Sequence, residues 1–279
     1  MAGSERLKSK DLFPPVFSRH ALAYQSRLED IMSRGESAGR MRALNLHDAR
    51  PGMRILDLAC GPGTLSRRLA AMVAPGGGVV GVDLAPGMIE VARAMHIPSA
   101  RFEIMDIENL EFEAGSFDAA ICGHGLQFAS DLPRALRESR RVLRPRGRLA
   151  ASVPVTAGKE AVWMRLDSVI DRWLPPAPIA SDQESTRATV QDTAAFQRAA
   201  IEAGFAKAAV ELVEETVPWQ SAEHIVTSFM AWVDSASRIE GMDAVRRQAM
   251  MNEAIEAVRR DNPGPIVTKG RNHVLFAEA

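Results

Sequence analysis

ILDLACGPGTLS, residues 55–66, sets an apolar run with an acidic residue near its end against a Gly-x-Gly turn that feeds a helix. Gly61 and Gly63 let the backbone bend sharply and leave room for a ligand to lie directly against it. The helix that follows, LSRRLAAMV at 65–73, carries Leu65, Leu69, Met72 and Val73 on one face and is stopped by PGGG at 75–78. Twenty residues after Gly63 comes Asp83, at the carboxyl end of the next apolar run, VVGVDL at 79–84. A carboxylate there can accept both hydrogen bonds of a ribose diol, so the turn and Asp83 together point to an adenosine-containing ligand. A Gly-rich turn that merely joins strand to helix is the plain alternative, and the spacing to Asp83 counts against it.

The same alternation continues outward. RFEIMDI (101–107), FDAAICG (117–123) and RLAASVPV (148–155) read as the third to fifth strands. Between strands lie PGMIEVARAM (86–95), opened by Pro86, and Asp131–Leu143, acidic at its start and basic towards its end. Short β-rich runs separated by amphipathic helices imply a parallel sheet with right-handed crossovers. AAVELVEETV (208–217) and HVLFAEA (273–279) are the sixth and seventh strands. Helices are expected at Lys159–Leu174, before PPAP at 175–178, and at Thr193–Ala203, with Gly204 as C-cap. About fifty residues separate the last two strands, too many for a hairpin. Helical spacing in Ile225, Phe229 and Trp232, and in Met250, Ala254 and Val258, makes them an insertion. At the other end, residues 1–15 read as a mobile tail closed by Pro14 and Pro15, and helical spacing follows to about Leu46. The expected organisation is an N-terminal tail with cap helices (1–46), a ligand-binding core (47–155), and the rest of the sheet (156–279) with helical lid insertions near 156–192 and 219–264.

The chain has 279 residues, 46% of them apolar, enough for one α/β core with additions. Lys plus Arg number 34 against 35 Asp plus Glu, a net charge of −1 without blocks of like charge, so no footprint for nucleic acid is present. Cys60 and Cys122 sit in strand-like runs without a CxxC pair or a histidine cluster, and no metal is expected. With no leader-like or spanning apolar run, a cytoplasmic location without a membrane partner is expected, as a monomer or homodimer.

CGPGTLS approximates the GxGxxG of dinucleotide enzymes, which makes a nicotinamide-dependent oxidoreductase one rival reading, a non-catalytic cofactor-binding protein being the other. Ser66 replaces the third glycine, however, and Asp57 precedes the turn. A pyrophosphate would sit poorly beside that aspartate, whereas a ligand with a positive amino group would welcome it, directly or through water.

At this point the chain resembles the class I methyltransferases, in particular the group containing the ubiquinone and menaquinone methyltransferases and many small-molecule enzymes of secondary metabolism. The resemblance rests on LDLACGPG (56–63), GVDLAPGM (81–88), MDIENLEF (105–112), FDAAICGHGLQF (117–128) and LRESRRVLRPRGRL (136–149). Arg146 departs from the more usual Pro-Gly-Gly turn after Pro145. The resemblance implies a Rossmann-like α/β fold, a seven-stranded, mostly parallel sheet of order 3-2-1-4-5-7-6 with a helical lid. It implies S-adenosylmethionine as methyl donor, S-adenosylhomocysteine as product, and a small-molecule acceptor.

Carried over by position, it implies that Ala59, Gly61 and Gly63 line the methionine part and that Asp83 holds the ribose. Leu84 and Met88 would pack on adenine, Asp106 would accept from its amino group, Ile107 would cover the ring, and Gly123 would pass the sulfonium. Tyr24 falls where related enzymes close an N-terminal helix over the cofactor. Methyl transfer from a sulfonium is an in-line displacement, so alignment and exclusion of water are the main tasks. An acceptor must still lose a proton, and His124, at the mouth of the fourth strand, is the candidate base. His20 and His224 are weaker candidates. Trp163, Trp173, Phe229 and Trp232 are expected to pack the added helices or to wall an aromatic or prenyl pocket.

Overall fold

Ile55 and Leu56 are neighbours in β1 (Arg54–Leu58), point to opposite faces of the sheet, and are both wholly buried. That is what a strand covered by helices on both sides requires, and it explains why the sequence shows unbroken apolar runs there rather than alternation. The computed structural model describes residues 7–156, 160–176 and 180–279. In it β1 is followed by α4 (Thr64–Val73), β2 (Gly78–Asp83), α5 (Pro86–Ala94), β3 (Ala100–Ile104), β4 (Phe117–Gly123), α6 (Leu132–Val142) and β5 (Leu143–Pro154); α1 (Ser9–Arg19), α2 (Ala21–Ser33) and α3 (Ala38–Leu46) precede them. The seven-stranded sheet has the order β3-β2-β1-β4-β5-β7-β6. Strands β1 to β5 are mutually parallel, while β7 (Ile266–Glu278) runs antiparallel to both β5 and β6 (Lys207–Trp219). The order reverses between β1 and β4, which opens a crevice at their carboxyl ends.

Each face of the sheet has its own helices. Ile55, Val79, Ile121 and Ala150 pack with Leu69 and Val73 of α4 and Ile89 and Ala92 of α5. Leu44 of α3 (Ala38–Leu46) and Met32 of α2 (Ala21–Ser33) join that layer. Leu56, Val80, Cys122 and Ala151 pack on the other side with Leu136 of α6 and Phe196 of α9 (Thr193–Glu202). The helix starts follow local chemistry: Asp131, Asp192, Ser221 and Asp243 each accept from the amide three residues on, at the N-termini of α6, α9, α10 (Ala222–Met230) and α12 (Ala244–Asp261).

The N-terminal expectation is corrected. Residues Ser9–Arg19 form α1, with Pro14 and Pro15 inside it rather than ending a tail. Two prolines remove two backbone donors, but Leu12 and Phe13 are buried against Ala180, Phe17 and Phe128, so tertiary packing outweighs the local penalty. The expectations for residues 1–6, Lys159 and 177–178 lie outside the described residues. β3 stops at Ile104 instead of 107, because 105–108 turn to form the crevice wall. The antiparallel β6–β7 pair is longer than its apolar cores implied, running from Lys207↔Glu278 to Trp219↔Ile266. The polar segment Lys269–Asn272 hid that extension. Arg146 adopts φ +66°, the left-handed conformation that glycine would take without strain.

Between β5 and β6 stand α7 (Ala161–Trp173), α8 (Glu184–Gln191) and α9; between β6 and β7 stand α10, α11 (Val233–Ile239) and α12. Leu166 and Ile170 of α7 bury against Ile225 of α10 and Met250 and Val258 of α12, a third apolar cluster distinct from the two faces of the sheet.

Candidate active site

The turn after β1 is built from left-handed backbone. Ala59, Gly61 and Gly63 have φ of +50°, +54° and +83°. This curl brings the Gly61 amide to Asp83 Oδ2 at 2.8 Å and leaves Ala59 and Gly61 facing the crevice. Gly63 does something else. A Cβ there would lie 2.9 Å from Met95 Cε and 3.1 Å from Phe102 Cζ, so this glycine serves the close packing of α4 on α5 and β3 and does not face the cavity.

Asp83 ends β2 at the crevice, its Oδ1 accepting from the Ala85 amide at 2.9 Å. Burial raises its carboxyl above the ordinary aspartate value, although the amides of Ala85, Gly61 and Leu84 pull the other way. Asp106 follows β3, takes the Glu108 amide on Oδ1 at 2.9 Å, and pairs through Oδ2 with Lys10 Nζ at 2.7 Å. Leu84, Met88 and Ile107 complete this end, so two carboxylates and an apolar slot stand together at the ends of successive strands. That combination, acceptors for hydroxyl and amino groups beside a flat apolar space, is the complement of a nucleoside.

Helix α1 supplies a wall that sequence reasoning missed. Phe13, Pro14 and Phe17 line the cavity, and Phe17 meets Tyr24 and Phe128 edge-on at ring-centroid distances of 5.9 and 5.3 Å. Burial alone would lower Lys10, but its bonds to Asp106 and Glu108 outweigh that and hold the ammonium above its ordinary value, so α1 is tied electrostatically to the crevice. Phe13 and Phe17 are four residues apart, a spacing that signals a helix once the two prolines between them are set aside. Tyr24, on α2, lines the same cavity and accepts from Arg40 Nη2 at 3.3 Å.

Gly123 ends β4, and His124 follows with φ +66°. Its amide donates to Ser152 O at 2.9 Å and its Nε2 lies 2.9 Å from Asn272 Oδ1 on β7. Burial, and then the Arg40 charge, push the imidazole well below its ordinary pKa despite the Asn272 bond, so it is neutral at physiological pH. The cavity gathers Tyr24, Ala59, Gly61, Asp83, Leu84, Met88, Asp106, Ile107, Gly123 and His124, about 800 Å³ including its mouth.

Some candidates stand elsewhere. Asp57 is wholly buried beneath the turn, its Oδ2 accepting from Ser66 Oγ at 2.6 Å and its Oδ1 without a partner. Burial pushes its carboxyl up to about 7, partly offset by Ser66. His20 joins α1 to α2 and lies 3.9 Å from Glu240, and His224 meets the Trp219 ring edge-on; neither lines the cavity. Trp163, Trp173 and Phe229 pack the third cluster, and Trp232 carries Arg27 on its face. Burial holds both cysteine thiols protonated, Cys122 at about 12. The rival dinucleotide reading loses its footing here, since Ser66 and Asp57 are bonded to each other under the turn where a third glycine would be needed.

Comparison with known proteins agrees with this geometry. Residues 55–147 match the model of a methyltransferase domain. A 2-phytyl-1,4-naphtoquinone methyltransferase from Synechococcus elongatus is 34% identical over 179 residues, covering 62% of this chain and 76% of that protein. The nocamycin O-methyltransferase of Saccharothrix syringae is 33% identical over 148 residues, 50% of this chain and 53% of its own length. Across curated relatives the chain spans from 33% to 76% of the relative's length, and less than two thirds for the first matches. Among solved structures, the phosphoethanolamine N-methyltransferase 2 of Haemonchus contortus, in complex with phosphomonomethylethanolamine and S-adenosylhomocysteine, shares the fold at 18% identity. Its TM-score is 0.52, covering 86% of this chain and 52% of that one. An acceptor-rich crevice at the switch point of this sheet order, joined to sequence kinship across most of a curated relative, places the chain in the class I S-adenosylmethionine-dependent methyltransferases.

Proposed function

We propose that this protein transfers a methyl group from S-adenosylmethionine to a nucleophilic oxygen, carbon or nitrogen of a small aromatic, heterocyclic or isoprenoid-type acceptor, by in-line displacement. The observation that carries the reading is the single cavity in which Asp83, Asp106, Gly61, Gly123 and His124 meet. Asp83 would accept from the ribose hydroxyls and Asp106 from the adenine amino group, with Leu84, Met88 and Ile107 flanking the ring. Ala59, Gly61 and Gly123 leave the backbone bare where the methionine part must pass, and Gly63 sets the curl that makes this possible. Asp57, though behind the turn, would act on the amino group through its negative charge. Bound there, the cofactor supplies an electrophilic methyl carbon on a sulfonium; the protein has to align and dry the approach to it.

Quinone-type acceptors are favoured by the naphthoquinone methyltransferase relative and by the apolar wall of Phe13, Phe17 and Phe128. Helices α1 and α2 form the lid, and α11 braces them: Arg19 donates to Glu240 at 3.1 Å. With Asn272 Oδ1 taking the Nε2 hydrogen, His124 keeps the Nδ1 lone pair for a proton released as the methyl is transferred. Incubation with methyl-labelled S-adenosylmethionine and a panel of quinols, phenols and heterocyclic hydroxyl compounds tests the reading. Labelled methylated product is expected for at least one bicyclic aromatic member. Cofactor binding without transfer to any member would overturn the acceptor class while leaving the cofactor site standing.

A further inference from the structure

Beside the cofactor cavity, on the side of His124, stand two arginines that the chemistry above does not use. Arg40 of α3 is 8% exposed, and its contacts are two long bonds to neutral hydroxyls, 3.4 Å to Ser37 Oγ and 3.3 Å to Tyr24 Oη. Its stem runs along Gly123, where a Cβ would lie 3.7 Å from Arg40 Cγ and Cδ. Arg27, one helical turn after Tyr24 on α2, lies with its guanidinium carbon 3.7 Å from the centroid of the Trp232 ring. Its Nε is buried without a partner. Burial, then the charge of Arg40, bring Arg27 down to about 10, with Tyr24 acting against them, so Arg27 stays charged at neutral pH. Among the described residues no carboxylate pairs with either.

Two guanidinium groups near each other, one buried and one half-buried, without an anion, are costly to maintain. Each is a rigid fork of donors matched to carboxylate oxygens. We propose that Arg27 and Arg40, the two cations beside Tyr24, are the receptor for a carboxylate carried by the methyl acceptor. This deepens the functional reading above and rests on it. The cofactor's own carboxylate could engage Arg40, beside Gly123 and Tyr24, but Arg27 rests on the Trp232 ring. Trp232 belongs to the insertion between β6 and β7, so Arg27 reaches towards that insertion. The acceptor would then be an acidic aromatic, its carboxylate on the arginine pair and its nucleophilic atom beside His124.

The test is calorimetry on the full-length protein saturated with S-adenosylhomocysteine, titrated with 1-hydroxy-2-naphthoate and with its neutral isostere 1-hydroxy-2-naphthamide. The acid is expected to bind at least about tenfold more tightly than the amide. That preference should vanish in Arg27→Met/Arg40→Met and survive in part in Arg27→Lys/Arg40→Lys. Equal binding of acid and amide by the unaltered protein, or no binding of the acid at 1 mM, overturns the proposal without relying on any variant. A second arm compares S-adenosylhomocysteine with 5′-methylthioadenosine, which lacks the carboxylate. Their affinity ratio should be the same in the unaltered and Met-substituted proteins. A collapse of that ratio would assign the arginines to the cofactor and overturn the acceptor assignment. Failure to bind S-adenosylhomocysteine at all would instead strike the functional reading itself.

Discussion

Replacing Asp57 by asparagine separates what the buried carboxylate costs the fold from what it contributes to binding. Its carboxyl stands at about 7 against an ordinary value of 3.8, mainly because burial penalises the charge. A native pKa above the unfolded one means the native state holds the extra proton between those values, so stability falls as pH rises through that window and levels off above it. The full penalty is about 4 kcal/mol at 1.36 kcal/mol per unit. About 2 to 3 kcal/mol of it falls between pH 5 and pH 8. Asparagine keeps an oxygen for Ser66 Oγ, which now donates at 2.6 Å. Urea unfolding of both proteins at pH 5 and pH 8 should therefore show Asp57→Asn gaining about 2 to 3 kcal/mol more over the unaltered protein at pH 8 than at pH 5. Titrations of other groups cancel in the difference. An identical gap at both pH values would refute the reasoning. If the charge is retained for the cofactor's amino group, the same variant should also bind S-adenosylhomocysteine about tenfold more weakly, a stability–function trade-off.

His124→Gln should lower turnover at least about a hundredfold with cofactor affinity within about threefold; full turnover would remove the base role. Because burial and Arg40 keep the imidazole neutral, kcat/KM for the unaltered enzyme should show no inflection near the ordinary histidine pKa of 6.5, and an inflection there would contradict the environment described. Gly63→Ala forces φ +83° on a residue with a Cβ and drives that carbon into Met95, Phe102 and Ala92. A loss of about 2–4 kcal/mol in urea unfolding is expected from the left-handed penalty and overpacking together. Cofactor affinity should stay near that of the parent. Phe17→Ala removes edge-on pairs with Tyr24 and Phe128. At about 0.5–1.5 kcal/mol each, their loss should speed amide exchange throughout residues 9–19; unchanged exchange would mean that α1 is held by other contacts.

Much of this was legible in the chain because a parallel sheet buried on both faces writes itself as apolar runs, and because β-to-α turns at the crevice require glycine. ILDLACGPG gave strand, turn and helix at once, and Asp83 and Asp106 were readable as carboxylates at the ends of successive strands. What was not legible depends on contacts between distant segments. Pro14 and Pro15 argued against a helix that exists because Phe13 and Phe17 find Phe128 and Tyr24 far along the chain. Asp57 and Gly63 belong to the motif by position, yet the backbone curl turns one beneath the ligand space and the other towards α5. The Asn272 bond to His124 spans 148 residues and no local pattern announces it. Among the histidines, only burial and cavity lining separate His124 from His20 and His224.

The most direct test is calorimetric titration of S-adenosylhomocysteine into the unaltered protein and into Asp83→Ala. The account predicts saturable binding by the first. In the second, losing two acceptor sites worth about 1.5 kcal/mol or more each should weaken affinity at least about a hundredfold. No binding by the unaltered protein at 1 mM, or equal affinity in both, would contradict it.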